Sequence, residues 1–297
     1  MTTTSPAPTR TSLLAAAAAL TTVVLWASAF VAIRHVGNEV SPGALALGRL
    51  VIGSVLLGVL LFTRPRAARW RPPTRRDWVA LVICGVLWFG GYNVALNAAE
   101  QQVDAGTAAM LVNVGPLMIA LLAGIVLGEG FPGRLVIGSL VAFAGVVVIG
   151  TSSSTGTAET WGVVLCVVAA AGYAIGVVAQ KPLLARIPAL QVTWAACTIG
   201  AVACLPFAPA LVREARAAEA STLWWVVYLG ALPTALAFTT WAYALARTSA
   251  GRMGATTYLV PPITIVLGWL LLDETPAGLA IAGGALCLAG VALSRRR

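Results

Sequence analysis

The stretch MLVNVGPLMIALLAGIVLGE, residues 110–129, is long and apolar enough to cross a bilayer, yet its first half contains Asn113 and Pro116. A second stretch, TTYLVPPITIVLGWLLLDE at residues 256–274, has the same organisation. Pro116 precedes Glu129 by thirteen residues, and Pro261 precedes Glu274 by the same thirteen. Two membrane-length segments built to one pattern predict an internal duplication of the chain.

The composition is that of a membrane protein. Of 297 residues, 59% are apolar and 10% are charged, and the mean hydropathy is +0.91, which excludes an ordinary soluble domain. A helix needs about 20 residues to cross a hydrocarbon core about 30 Å thick. Ten apolar runs of about this length occur at 13–33, 42–62, 78–98, 106–127, 133–151, 161–180, 190–210, 221–245, 252–272 and 276–294. The sequence therefore predicts an all-α membrane protein with ten transmembrane helices.

The duplication covers most of the chain. An offset of 145 residues places Pro116 on Pro261, and an offset of 147 residues places Trp26 on Tyr173. We therefore expect two repeats, 13–151 and 161–294, of five spans each. Because five is odd, the second repeat enters the membrane from the opposite side, which gives inverted topology around a central cavity and suits alternating access.

The net charge of +9 reports orientation rather than a nucleic-acid partner. With the N-terminus inside, fifteen of the nineteen basic residues fall in cytoplasmic segments, including the cluster between residues 64 and 76. We therefore expect both termini in the cytoplasm, a lipid bilayer around the chain and no nucleic-acid partner.

Groups for catalysis or metal binding are scarce. His35 is the single histidine, and there is no GxSG serine site and no pair of intramembrane aspartates. The five cysteines lie within apolar runs without CxxC spacing, so we expect small buried side chains rather than disulfides or metal ligands. The chain is thus expected to have no catalytic residues, no metal and no cofactor. Nothing repeats in the manner of a channel's selectivity filter.

Several segments together resemble a known family. They are LWASAFVAIR at 25–34, SPGALALGRL at 41–50, the Ala-Gly start, central proline and final glutamate of the fourth and ninth runs, and the repeat itself. In this combination the chain resembles EamA-type members of the drug/metabolite transporter superfamily. The resemblance implies a bacterial inner-membrane permease, often an exporter of amino acids or related metabolites. It also implies a cavity lined chiefly by spans 1–4 and 6–9.

The two prolines predict kinked helices with exposed backbone acceptors. Such groups are tolerated in lipid only where protein or water satisfies them. Asn113 and Tyr258 are equivalent under the 145-residue offset, and each lies three residues before its proline, Pro116 or Pro261. We expect Asn113 and Tyr258 to face each other across a mid-membrane substrate site. The alternative is that the kinks pack against neighbouring helices.

Each of the other candidates for the cavity wall has two interpretations. Asn93 and Asn97 share a helix face, and they either line the cavity or form hydrogen bonds between helices. Trp26, with Phe30 one turn later, and its repeat equivalent Tyr173 serve either the cavity or the core.

The charged candidates lie within a span or at the ends of spans. Arg49 is the one cation within a span, and it either serves the functional site or pairs with backbone carbonyls at a helix end. Glu129 and Glu274 end spans, and we expect them to make helix-end contacts.

The expected function is transport of small neutral or zwitterionic metabolites, above all amino acids, by an exporter that works as a monomer. The alternative is a proton-coupled efflux carrier for drugs or toxic metabolites. This alternative is suggested by the small members of the superfamily, which resemble proton-coupled carriers with a glutamate in their first span. The first span of this chain has no carboxylate. Substrate identity, coupling ion and direction stay open at this level.

Overall fold

The fold is helical, as seen in a computed structural model that describes residues 10–37, 39–63, 65, 70–102, 108, 111–153, 160–272 and 278–295. The helices are α1 Arg10–Val36, α2 Pro42–Phe62, α3 Arg75–Ala99, α4 Gly115–Val126, α5 Gly133–Ser153, α6 Thr160–Leu183, α7 Ala189–Ala203, α8 Ala208–Ala217, α9 Ala220–Leu245, α10 Ala250–Thr256, α11 Val260–Leu272 and α12 Gly278–Arg295. Short 3₁₀ turns, Leu205–Phe207 and Thr257–Leu259, precede α8 and α11.

Five helices in the described part of the chain are individually long and apolar enough to cross a membrane, namely α1, α2, α3, α6 and α9. The pair formed by α7 and the segment through α8, bent by 52°, makes a sixth candidate. Of the other predicted runs, α5 has 21 residues, α12 has 18 and α4 has 12, and the run at 252–272 is split into α10 and α11. The structure is thus an all-helical membrane protein.

The two halves pack through duplicated contacts. Gly85 on α3 lies so close to α7 that a Cβ atom there would be 2.7 Å from Cβ of Ile199. Gly230 on α9 lies equally close to α2, with a corresponding distance of 2.6 Å to Cβ of Ile52. Gly230 is Gly85 shifted by 145 residues, and Ile199 is Ile52 shifted by 147. The same close approach is therefore made twice, once from each half.

Helices α5 and α12 pack against each other along small residues. A Cβ atom on Gly138 would lie 2.6 Å from the carbonyl oxygen of Gly290, and one on Gly145 would lie 2.6 Å from that of Gly283. As the residue number rises along α5 it falls along α12, so the two helices are antiparallel. Small residues permit this close approach of backbones, as they do in membrane helix pairs.

Two long helices contain a π-helical segment at corresponding places, Cys84–Tyr92 in α3 and Gly230–Leu236 in α9. The wider turn carries an extra residue and rotates the side chains that follow it, and such segments are frequent at functional sites. Close packing fixes the first of them, because a Cβ atom on Gly176 of α6 would lie 2.4 Å from Cβ of Trp88. These segments direct large side chains toward the centre of the bundle.

The cysteines match the sequence-based expectation. All five are buried free thiols. Cys197 on α7 lies 3.4 Å from the carbonyl oxygen of Leu50 on α2, and Cys287 on α12 lies 3.4 Å from that of Ala142 on α5. They therefore serve as small side chains at helix contacts.

Candidate functional site

A cavity lies where α1, α2, α3, α6, α9 and the segments around α4 and α11 meet. Its volume is about 630 Å³ counted with its open part, and about 60 Å³ of it can hold the centre of a water molecule. Since about 10–15 Å³ of such space is the least that holds one water, the cavity accommodates several waters. Its wall consists of Trp26, Ala29, Phe30, Ile33, Arg49, Trp88, Tyr92, Asn93, Leu96, Val112, Asn113, Pro116, Tyr173, Phe238, Thr257 and Val260.

Aromatic rings form the inner end of the cavity, and Trp241 packs against Trp26 without lining the cavity itself. The ring centroid of Trp26 lies 6.2 Å from those of Trp88 and Tyr173, 5.3 Å from that of Phe238 and 5.0 Å from that of Trp241. Three of these contacts are edge-to-face and the fourth is tilted, as favoured by aromatic quadrupoles. The indole N–H of Trp26 donates to the carbonyl of Pro233 at 3.3 Å, which anchors the ring to the π-helical segment of α9.

Arg49 provides the positive charge on the wall. Its side chain is 3% exposed, and its Nε donates to Oγ1 of Thr234 at 3.0 Å. Thr234 belongs to the other half of the chain and is itself fully buried. A guanidinium group has five N–H donors, and its fork geometry matches a carboxylate. The cavity thus presents one cation, already oriented by a hydroxyl, beside an aromatic surface.

Two amide side chains lie on the wall, and the helix of the fourth run is interrupted beside one of them. Asn93 is buried, and its Nδ2 donates to the carbonyl of Phe89 at 2.7 Å. Asn113 is 5% exposed and lies in a turn just before α4. Pro116 occupies the first turn of α4, where its missing N–H has no partner to lose. The proline therefore marks the start of a new helix rather than a kink inside one.

The equivalent segment of the second repeat is also interrupted just before its proline. Pro261 lies in the first turn of α11, directly after the 3₁₀ turn Thr257–Leu259. The breaks at residues 113–114 and 257–259 correspond under the 145-residue offset. Pro261 itself is not on the cavity wall, whereas Thr257 and Val260 are.

The structure brings most of the sequence-predicted residues together. The cavity wall includes Trp26, Phe30, Arg49, Asn93, Asn113, Pro116 and Tyr173. It does not include Asn97. That residue is 2% exposed, and its Nδ2 donates to the carbonyl of Pro42 at 3.1 Å, which ties α3 to the first residue of α2.

Tyr258 is a correction to the expected arrangement. It is fully buried in an apolar cluster between α5 and α12, so it does not face Asn113 across the cavity. The cause is the 3₁₀ turn, in which successive residues are rotated by about 120°. This rotation brings Thr257 to the wall and directs Tyr258 away from it.

The predicted helix-end role of Glu129 is confirmed. Its carboxylate accepts hydrogen bonds from the backbone N–H groups of Ala250 at 2.7 Å and Gly251 at 3.1 Å. A carboxylate at the first turn of α10 satisfies N–H groups that lack helical partners and complements the helix dipole. Glu274 lies outside the described residues.

Sequence reasoning missed several wall residues, among them Trp88, Tyr92, Phe238 and Thr257. The repeat contained a signal for one of them, because Phe238 is the equivalent of the candidate Asn93. In the part of the chain that the structure describes, no group of three His, Cys, Asp or Glu side chains is arranged to hold a metal ion.

Comparison with known proteins gives consistent results. The model of the EamA-like transporter family matches residues 13–151 and again 160–296. A "Probable terminal-alkyne amino-acid exporter" of Streptantibioticus cattleyicolor is 40% identical over 282 residues, covering 93% of this chain and 91% of the relative. The "Uncharacterized transporter YdfC" of Bacillus subtilis is 32% identical over 271 residues, covering 90% and 86%.

A solved crystal structure superposes with a TM-score of 0.76 over 95% of this chain and 96% of its own, at 22% identity, which shows that the fold is shared. The family model covers most of the chain and matches it twice. Both findings agree with the resemblance seen in the sequence. The chain belongs to the EamA-like transporter family.

Proposed function

We propose that this transporter exports small amino acids, or closely related zwitterionic metabolites, across the bacterial inner membrane by alternating access. The observation that carries the proposal is Arg49, a buried guanidinium at the wall of an aromatic cavity. The chain is also 40% identical to a protein named as a probable exporter of terminal-alkyne amino acids.

The chemistry of the wall suits a zwitterion. A buried cation is costly unless it is paired. Thr234 offers Arg49 only a hydroxyl, and the buried carboxyl group of Glu100 attracts Arg49 without a hydrogen bond to it. A substrate carboxylate would supply both the charge and two further acceptors. The wall described above has no acidic side chain, so the substrate ammonium group would rest on ring faces such as those of Trp26 and Tyr92.

The polarity of the wall determines which substrate side chains fit the cavity. Apolar and aromatic side chains make up most of the lining, which favours an apolar substrate side chain. A phosphate would need several cations, and the described wall offers Arg49. The proposal therefore favours neutral amino acids over phosphorylated metabolites.

The mechanism rests on two repeats, residues 13–151 and 161–294, in inverted orientation. The duplicated contacts of Gly85 and Gly230 and the antiparallel packing of α5 on α12 support this arrangement. Inverted repeats can exchange conformations and so present one site to either side of the membrane in turn. With both termini in the cytoplasm, the end of the cavity near Ile33 and Leu96 faces outward.

The test is counterflow in proteoliposomes that contain the purified protein. L-propargylglycine, a terminal-alkyne amino acid, is loaded inside, and uptake of the labelled compound is measured from outside. Matched analogues lack either the carboxylate or the ammonium group. The proposal expects saturable counterflow of the amino acid and a large loss for the analogue without a carboxylate. Equal transport of all three compounds would contradict it.

A further inference from the structure

The inner end of the cavity lies where the two repeats meet. Three pairs of repeat-equivalent positions line this one cavity: Trp26 with Tyr173, Asn93 with Phe238, and Val112 with Thr257. A position and its equivalent come together only near the axis that relates the halves. The inner end is therefore shared by both repeats.

Farther from the axis, residues of one repeat line the cavity and their equivalents in the other repeat do not. Ile33 of α1 and Leu96 of α3 line the cavity. Their equivalents are Gln180 of α6, at an offset of 147, and Trp241 of α9, at an offset of 145. Both are 0% exposed, and neither lines the cavity. The molecule is thus open on one side of the axis and closed on the other.

The closed side contains polar groups whose hydrogen bonds are not made. Neither Oε1 nor Nε2 of Gln180 has a hydrogen-bond partner among the described residues, and the same is true of Nε1 of Trp241. Buried groups of this kind destabilise a fold, and an apolar side chain of the same shape avoids the loss. A second environment in which the amide of Gln180 is paired would account for a glutamine at a fully enclosed position.

A hollow approaches this region from the opposite end of the bundle. It lies between the ends of α2 and α9 and the α6–α7 connection, and about 700 Å³ of it can hold the centre of a water molecule. Leu184 lines the hollow, one helical turn beyond Gln180 on the same face of the chain. Lys181 lies between them, and its Nζ donates to the carbonyl of Leu245 at 2.7 Å and to that of Thr248.

We propose that Gln180 and Trp241 line the second, cytoplasmic mouth of the transport pathway, where water and the polar groups of an amino acid in transit complete their hydrogen bonds. The conformation described here is the one in which this mouth is closed, with Lys181 holding α6 against the end of α9. The proposal deepens the alternating-access function above and rests on it.

Gln180→Met tests the proposal against a matched control. Methionine has nearly the shape of glutamine but makes no comparable hydrogen bonds, so the closed mouth is stabilised relative to the open one by about tenfold or more. We expect the Tm of the purified protein to rise and the turnover of L-propargylglycine to fall about tenfold. Gln191 is equally buried, but its amide is paired with both backbone groups of Arg71. Gln191→Met should instead lower the Tm.

Two results of this comparison would overturn the proposal. A lower Tm for Gln180→Met would mean that the amide is already satisfied in this conformation. An unchanged Tm together with an unchanged turnover would place Gln180 outside the pathway.

Cysteine labelling provides a readout that does not depend on the substrate. In a background without the native cysteines, Gln180→Cys should react with a small charged maleimide added from the cytoplasmic side, and Lys181→Met should raise the rate by releasing the closed mouth. Ala174→Cys, fully buried on another face of α6, should not react. If L-propargylglycine is not transported but Gln180→Cys is labelled, the proposed substrate fails and the second mouth stands. No labelling of Gln180→Cys with or without Lys181→Met refutes the mouth.

Discussion

Replacing Arg49 by methionine separates substrate binding from folding. Arg49 is 3% exposed and its Nε donates a hydrogen bond to Thr234, so a carboxylate bound to it is almost fully removed from water. Truncating one partner of such a buried charge pair costs about 2–5 kcal/mol. We therefore expect the Kd for L-propargylglycine to rise roughly 30-fold to several thousand-fold.

The same substitution should leave the fold intact. Arg49 is attracted by the buried carboxyl group of Glu100 but makes no hydrogen bond to it, so its removal relieves more desolvation than it costs in attraction. The Tm of Arg49→Met without ligand should therefore equal or exceed that of the unchanged protein. Thr234→Val is the milder companion variant, since it removes only the hydroxyl that orients Arg49, and it should weaken binding by about 1 kcal/mol.

The assay is equilibrium binding by purified, monodisperse protein, with L-propargylglycine and its methyl ester compared in parallel. The ester lacks the negative charge, so Arg49→Met should hardly change its affinity. An equal loss for the acid and the ester would show that Arg49 acts through the structure of the cavity. An unchanged affinity for the acid would remove Arg49 from the site.

Three further predictions concern the scaffold. Gly85→Ala and Gly230→Ala should each lower the Tm by a similar amount, because each added Cβ meets an isoleucine at 2.7 Å or less; a large effect of one with none of the other would argue against duplicated packing. Pro116→Ala should slow transport without reducing membrane insertion, since a continuous helix would move the wall at Asn113, and normal transport would leave the proline a packing role. Trp70→Cys should be labelled from the cytoplasmic side only, and labelling from outside would reverse the topology.

Repetition in the sequence was the most informative predictor. The offsets of 145 and 147 residues paired Trp26 with Tyr173, and the structure places these two rings 6.2 Å apart on one cavity. The isolated cation Arg49 and the amide of Asn93 were also found on the wall, because polar groups in apolar spans stand out from their surroundings.

Sequence periodicity could not predict the direction of side chains about the helix axis where the helix is irregular. A 3₁₀ turn brought Thr257 rather than Tyr258 to the wall, and a π-helical segment together with Gly176 set the direction of Trp88. A sequence pattern that assumes 3.6 residues per turn assigns the wrong side chain at such places.

We propose that an amino acid binds in this cavity with its carboxylate on Arg49. A structure of the protein determined with L-propargylglycine bound tests it most directly. We expect the carboxylate oxygens about 2.7–2.9 Å from the guanidinium nitrogens of Arg49, with the substrate side chain against Trp26 and Tyr173. An amino acid bound in the cavity with its carboxylate away from Arg49, or bound elsewhere on the protein, would contradict it.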